Sequence, residues 1–420
     1  MRRGIAGLAL VGAIVAPRVA PAAAEGGARS DLAELRAERA EEVSRYRVRE
    51  LTGKRITAAL ELLEQDRYAE ARAKLDEMNY ELLNARERAL AYRLVALTAF
   101  GQEQFDTAIE YFGKAVEQQA LTIDDEASAR FSIAQLRAAV SDWPGVLSAL
   151  DEWRAYVEEP SALAYYLEAL AHYEMDEFER AVEPARRAVE LSPAPREGWL
   201  QLLAGLYLQK EDYASATPLI EELVVRFPKK QYWVQLSMLY AAREDHPASL
   251  AVQQLAYAQG LLHEDRDLRR LARSFLYHDL PESAALVIEK GLADGTLEPD
   301  EEVLEQLGNS WIAAREFDKA VGPLSRAAAL SDDGKLYLRL AQVHVQREQW
   351  EEATRLLREA LAKGGLDDRG RAELLLGIAC YSGERPEEAR AAFERAAAHE
   401  STRAEAGAWL EHMAREGPSG

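Results

Sequence analysis

The chain has 420 residues, 48% of them hydrophobic, with 72 acidic against 51 basic side chains and a formal charge of −21. That length and apolar fraction exclude a disordered tail, and the acidic excess disfavours a phosphate-backbone partner, so no nucleic-acid role is expected. A single cysteine, Cys380, excludes an internal disulfide.

Residues 1–24 read as a secretory signal. Arg2 and Arg3 open it, and Ile5 to Ala16 form an apolar run of twelve, too short to span a bilayer core of about 30 Å. Ala22, Ala23 and Ala24 offer small residues for cleavage. An uncleaved anchor is the alternative. Cleavage would leave a chain outside the cytoplasm, periplasmic in a bacterium. Residues 25–55 read as a short leader and a charged helical segment. Its apolar seam is thin (Leu32, Leu35, Val43, Leu51), so a solvated helix is expected over a coiled coil, with part of the segment capping the repeat array.

From 56 to 398 the chain repeats. The best copy is Glu197 to Pro228. Trp199, Leu202, Leu203, Leu206 and Tyr207 form one helical stripe, Tyr213, Ala216, Ile220, Leu223 and Val224 a second, and Pro228 stops it. Positions equivalent to Ala216 are Ala71, Ala108, Val146, Ala181, Ser249, Ala284, Ala320, Ala353 and Ala389, spaced by 33 to 38 residues. An aromatic usually stands three residues earlier, as in Phe105, Phe178 and Trp350. Twelve residues earlier stands a small residue such as Ala96, Ala204, Gly308 or Gly377, suited to close helix packing. The copies on Val146, Ser249 and Ala284 are weaker. Residues 399–420 complete the chain as a capping helix with Trp409 and a tail.

No cofactor, metal or catalytic site is expected. Cys380, His344 and His172 fall at the same offset from their anchors as Trp311 and Tyr207, which marks them as packing residues. No His-Glu-x-x-His, Cys-x-x-Cys or phosphate-binding glycine loop occurs. His263-Glu264-Asp265 reads as a solvated turn, and Asp332-Asp333 and Asp367-Asp368 as helix starts.

The period and the registered small residues resemble the tetratricopeptide family over about 350 residues. That resemblance implies an all-α, right-handed α-solenoid of about ten helix-turn-helix repeats that holds protein partners in its groove. A narrower likeness lies in the second half. The run from Phe227 to Ser237, including Lys229, Lys230, Tyr232 and Gln235, resembles periplasmic repeat proteins associated with TonB energy-transduction systems. Ala256 to Gly260, Glu289-Lys290-Gly291, Asn309-Ser310-Trp311, Ser331 to Gly334 and Gly364-Gly365-Leu366 share it. The likeness implies a non-catalytic accessory to a TonB, ExbB and ExbD complex serving iron or other nutrient uptake. An adaptor in cell-envelope or outer-membrane assembly, unrelated to TonB, has the same residue-level features. Lys229, Lys230, Tyr232 and Gln235 are the candidate partner-binding residues; the basic pair stands out in an acidic chain, although balancing local charge would also account for it.

Overall fold

The computed structural model describes residues 28–416. The signal-like residues 1–24, with the leader up to 27, and the glycine-bearing tail lie outside them. The chain divides into two compact units, with the boundary at Phe227–Pro228. The expectation of one unbroken array meets that division where α11 stops and proline removes a backbone donor.

The first unit begins with α1 (Ala28–Ser44). Five helical hairpins come next: α2 and α3 (Glu50–Glu64, Tyr68–Asp76), α4 and α5 (Ala85–Gly101, Phe105–Glu117), α6 and α7 (Ile123–Ala139, Trp143–Arg154), α8 and α9 (Ala162–Glu174, Phe178–Glu190), α10 and α11 (Glu197–Gln209, Tyr213–Arg226). The first hairpin therefore starts at Glu50, six residues before the expected edge of the repeats. The second unit holds five more: α12 and α13 (Lys230–Ala242, His246–Ala258), α14 and α15 (Asp265–Tyr277, Pro281–Ala293), α16 and α17 (Glu301–Ala313, Phe317–Leu330), α18 and α19 (Lys335–Gln346, Trp350–Lys363), α20 and α21 (Arg369–Ser382, Pro386–Ala397). The last helix, α22 (Arg403–Glu416), closes that unit. Its Trp409 stacks on Phe393 with ring centroids 5.4 Å apart. No strand occurs among the described residues.

The alanine anchors explain why each hairpin closes tightly. All ten anchor residues, from Ala71 to Ala389, are buried. Opposite them, twelve residues upstream, stand Ala59, Ala96, Ala134, Ala169, Ala204, Ser237, Ala272, Gly308, Ala341 and Gly377. A Cβ on Gly308 would meet Leu324 Cγ at 2.4 Å, and one on Gly377 would meet Phe393 Cε1 at 2.4 Å. The three weaker copies obey the same rule. In one, two serines replace the small pair: Ser249 Oγ donates to the Ser237 carbonyl at 2.8 Å and lies 3.1 Å from Ser237 Oγ.

Each hairpin turn is the same Schellman motif. The residue five before each anchor takes a left-handed backbone with φ between 54° and 61°: Asp66, Glu103, Ser141, Asp176, Glu211, Glu244, Asp279, Arg315, Glu348 and Glu384. The next residue's amide reaches back to the carbonyl five residues earlier, as from Asp212 to Tyr207 (2.9 Å) and from Arg385 to Cys380 (2.9 Å). All ten left-handed residues are exposed, and none is glycine.

Most described side chains of helix α1 are exposed, as in a solvated charged helix, but one face of it is engaged. Among its described side chains only Leu32 and Val43 are buried, and only Arg36 and Arg39 are half-buried. These four stand at i, i+4, i+7 and i+11, one face of a helix. That face is held against later hairpins of its own unit by ion pairs.

Candidate interaction surface

The four residues singled out for partner binding separate into two kinds. Lys229, at the N-cap of α12, and Gln235 are exposed. Tyr232 is only 1% exposed, so its ring belongs to the packing and cannot meet a partner in this structure. Lys230 is spent inside the unit. Its Nζ lies 2.6 Å from Asp267 Oδ2 and 2.7 Å from Glu264 Oε1, and Asp267 is buried. Burial works against the charge on Lys230, yet the hydrogen bonds to Asp267 and Glu264 outweigh it and hold the ammonium above the ordinary lysine range. Glu264 and Asp267 also form the capping box of α14. The lysine thus ties the start of α12 to the start of α14.

The other segments of the narrower likeness are also used structurally. Trp311 is buried, and its indole N–H donates to Glu289 Oε1 at 3.1 Å, joining two of those segments. Gly334 N–H donates to the Gly364 carbonyl at 2.8 Å, joining two more. A Cβ on Gly334 would meet the Ala360 carbonyl oxygen at 2.2 Å, so the loops approach as only glycine allows. Lys335 pairs with Asp367 at 2.6 Å across the same joint. Asp368 caps α20 through the Arg371 amide, so these acids serve helix starts.

Cys380 is 1% exposed, and burial pushes its thiol up from the ordinary value. Thr354 Oγ1 stands 3.9 Å from its sulfur. His172 and His344 are buried beside their turns, with Nδ1 at 2.7 Å from Glu177 Oε2 and 2.6 Å from Gln349 Oε1. All three therefore sit where the common offset placed them, against the hairpin turn.

One widely open cavity of about 720 Å³ is lined by Trp350, Glu352, Thr354, Arg355, Arg358 and Arg385. Its arginines are engaged: Arg355 pairs with Glu352 and Glu359, Arg358 with Glu388, and Arg385 donates to Thr354. A second open cavity of about 600 Å³ holds Lys210 paired with Glu179. No group of three His, Cys, Asp or Glu side chains poised for a metal occurs among the described residues. The carboxyls of Glu70, Glu183, Asp300 and Glu352 are held below their ordinary range by arginine hydrogen bonds. Such shifts move groups away from neutrality, opposite to the tuning of a general acid or base.

Sequence patterning missed the paired arginines of α1 and the acids that receive them. The four-residue face was readable as a spacing, but its partners lie 80 to 122 residues further along the chain.

These features define a class: an all-α repeat protein built of registered helical hairpins. Residues 338–419 match the family described as tetratricopeptide repeat. Repeats of this type mediate protein–protein interaction. Several solved structures are similar. A MamA protein is 19% identical over 42% of this chain and 94% of its own, with a TM-score of 0.35. A tetratricopeptide repeat protein from Parabacteroides merdae is 13% identical over 62% of this chain and 99% of its own, with a TM-score of 0.36. The Cut9–Hcn1 hetero-tetramer of the APC/C gives 14% identity over 92% and 87%, with a TM-score of 0.30. No curated protein matches the chain. The fold assignment stands on the ten registered hairpins themselves.

Proposed function

We propose that the protein is a non-catalytic scaffold of the bacterial periplasm that holds envelope proteins, and that it serves a TonB, ExbB and ExbD complex in the uptake of iron or another nutrient. The observation that carries the scaffold reading is the repetition of one hairpin through both units, which spends the apolar residues on seams and presents paired charges outward. The signal-like residues 1–24 support export, and the segments from Phe227 to Leu366 support the TonB association. A second reading, an adaptor in envelope assembly unrelated to TonB, is favoured by one observation. Lys230, Trp311, Gly334 and Gly364 are all engaged within the fold, so the likeness they carry is accounted for by packing.

Fractionation of the cell and then capture on the tagged full chain tests both readings. Recovery in the periplasmic fraction with TonB, ExbB or ExbD, and loss of iron-limited growth on deletion, is the expected result. Capture of envelope-assembly proteins with unchanged iron-limited growth would select the second reading. Recovery in the cytoplasmic fraction would refute both.

A further inference from the structure

Helix α1 shows what this surface binds, because it is bound there itself. Arg36 Nη1 lies 3.0 Å from Glu158 Oε1 and its Nε 3.2 Å from Asp124 Oδ1. Arg39 Nη1 lies 3.1 Å from Glu126 Oε2 and donates to the Gln119 carbonyl at 3.4 Å. The Glu126 side chain is only 4% exposed, so that carboxylate is buried where the arginine meets it. On the opposite side Glu126 is met by Arg130, 2.9 Å away. At the far end of α1, Arg86 donates to the Val43 carbonyl at 2.8 Å, a cation on the carbonyl end of the helix. The receiving residues stand at or before the first turns of α4 and α6 and just ahead of α8. One helix thus crosses the leading ends of three successive hairpins.

The attachment is light. Among its described side chains two apolar ones are buried, Leu32 and Val43, and most of the others face solvent. The contrast with α22 is direct: there Ala406 and Met413 join the connected core of the second unit, and Trp409 stacks on Phe393. The Arg36 pairs have exposed partners, which contribute little and weaken with salt, and the buried Glu126 that meets Arg39 keeps Arg130 as its partner when Arg39 leaves. A strap held this way can leave while the hairpins beneath it stay folded.

We propose that α1 is an exchangeable occupant of a docking surface on the first unit. The surface takes a partner helix that presents apolar, Arg, Arg and apolar residues at i, i+4, i+7 and i+11. Asp124, Glu126 and Glu158 receive the two arginines, and Arg86 receives the carbonyl end. The surface reads the placement of the arginine pair and not the net charge of the helix, since α1 itself carries three arginines against five acids. The assignment rests on the scaffold reading but not on the TonB association, so a binding test in vitro separates its failure from that of the cellular role.

The test uses the full chain and its variant Arg36→Glu/Arg39→Glu, with a fluorescent peptide of residues 28–49 as the probe. The variant should lose amide protection in α1 while α4 and α6 keep theirs. Peptide anisotropy should show binding to the variant at least about tenfold tighter than to the native chain, whose site is filled. Adding Glu126→Gln and Glu158→Gln to the variant should weaken the peptide by about tenfold or more, as should replacing both peptide arginines with alanine. A second measurement needs no variant: in the native chain, raising salt from about 50 mM to about 500 mM should expose α1 amides ahead of all others in the first unit. Equal peptide binding to native and variant chains would overturn the proposal. So would absence of binding to a folded variant, or salt-insensitive protection of α1.

Discussion

The ten left-handed turn residues make a quantitative test of how these hairpins close. Glu211 is one of them, with φ 56°, exposed, between α10 and α11. A left-handed backbone costs a non-glycine residue about 1–2 kcal/mol. Glycine relieves that cost but loses about 0.5–1 kcal/mol more chain entropy on folding. The acid also sits at the carbonyl end of a helix, where its charge is unfavourable by about 0.3–1 kcal/mol. Together, Glu211→Gly should stabilise by about 1 kcal/mol, while Glu211→Ala, which removes the charge but keeps the strain, should gain only the dipole part. Glu244 and Glu348 repeat the geometry at φ 61° and 57°. The three sites are far apart in sequence and share no partner, so a triple glycine variant should gain about 3 kcal/mol. Urea unfolding monitored by circular dichroism reads the global effect. Exchange of the Asp212 amide, which bonds Tyr207 at 2.9 Å, reads the local one. Equal stability of the glycine and alanine variants at all three sites would refute the claim that backbone conformation, and not charge, limits these turns.

Glu87 is fully buried, paired with Arg49 at 2.6 Å and bonded to the Arg49 and Asn84 amides. The Arg49 hydrogen bond, against the burial that would raise it, holds its carboxyl down from 4.5 to about 2. A depressed acid contributes stability that is complete above about pH 4.5 and is lost as pH falls through about 2. Unfolding of the native chain should therefore become easier across that window; Glu87→Gln should cost about 2 kcal/mol at neutral pH and flatten the profile. Gly308→Ala should destabilise by about 1 kcal/mol, overpacking against Leu324 exceeding the helix-propensity gain, whereas Gly322→Ala, with open space around it in the same hairpin, should stabilise by about 0.5–1 kcal/mol. Thermal denaturation of the two variants side by side checks the sign of each. Cys380 should react with a thiol reagent at an unfolding-limited rate in the native chain and rapidly in urea; fast native labelling would contradict its burial.

Much of the hairpin architecture was legible in the residues alone. The period, the aromatic three before each anchor and the small residue twelve before it mark where two helices touch, and local periodicity reports a helix face directly. Even the shared offset of Cys380, His344 and His172 foretold burial, because every copy places that position against its own turn. The three faint copies were faint only because serine, valine or proline stands where alanine or an aromatic is usual; their Ser237, Ala134 and Ala272 keep the small-residue rule.

The tertiary structure alone decided how the charges are spent. Lys230 looked available because sequence shows a basic pair among acids, while Asp267, 37 residues on, is the side chain that neutralises it. Arg36 and Arg39 looked like ordinary solvated charges, and only the folding back of α1 onto residues 119 to 158 sets them against Asp124, Glu126 and Glu158. The physical reason is range. A helix face comes from the spacing of neighbours along the chain, whereas an ion pair depends on a separation of about 3 Å between groups that only packed hairpins bring together.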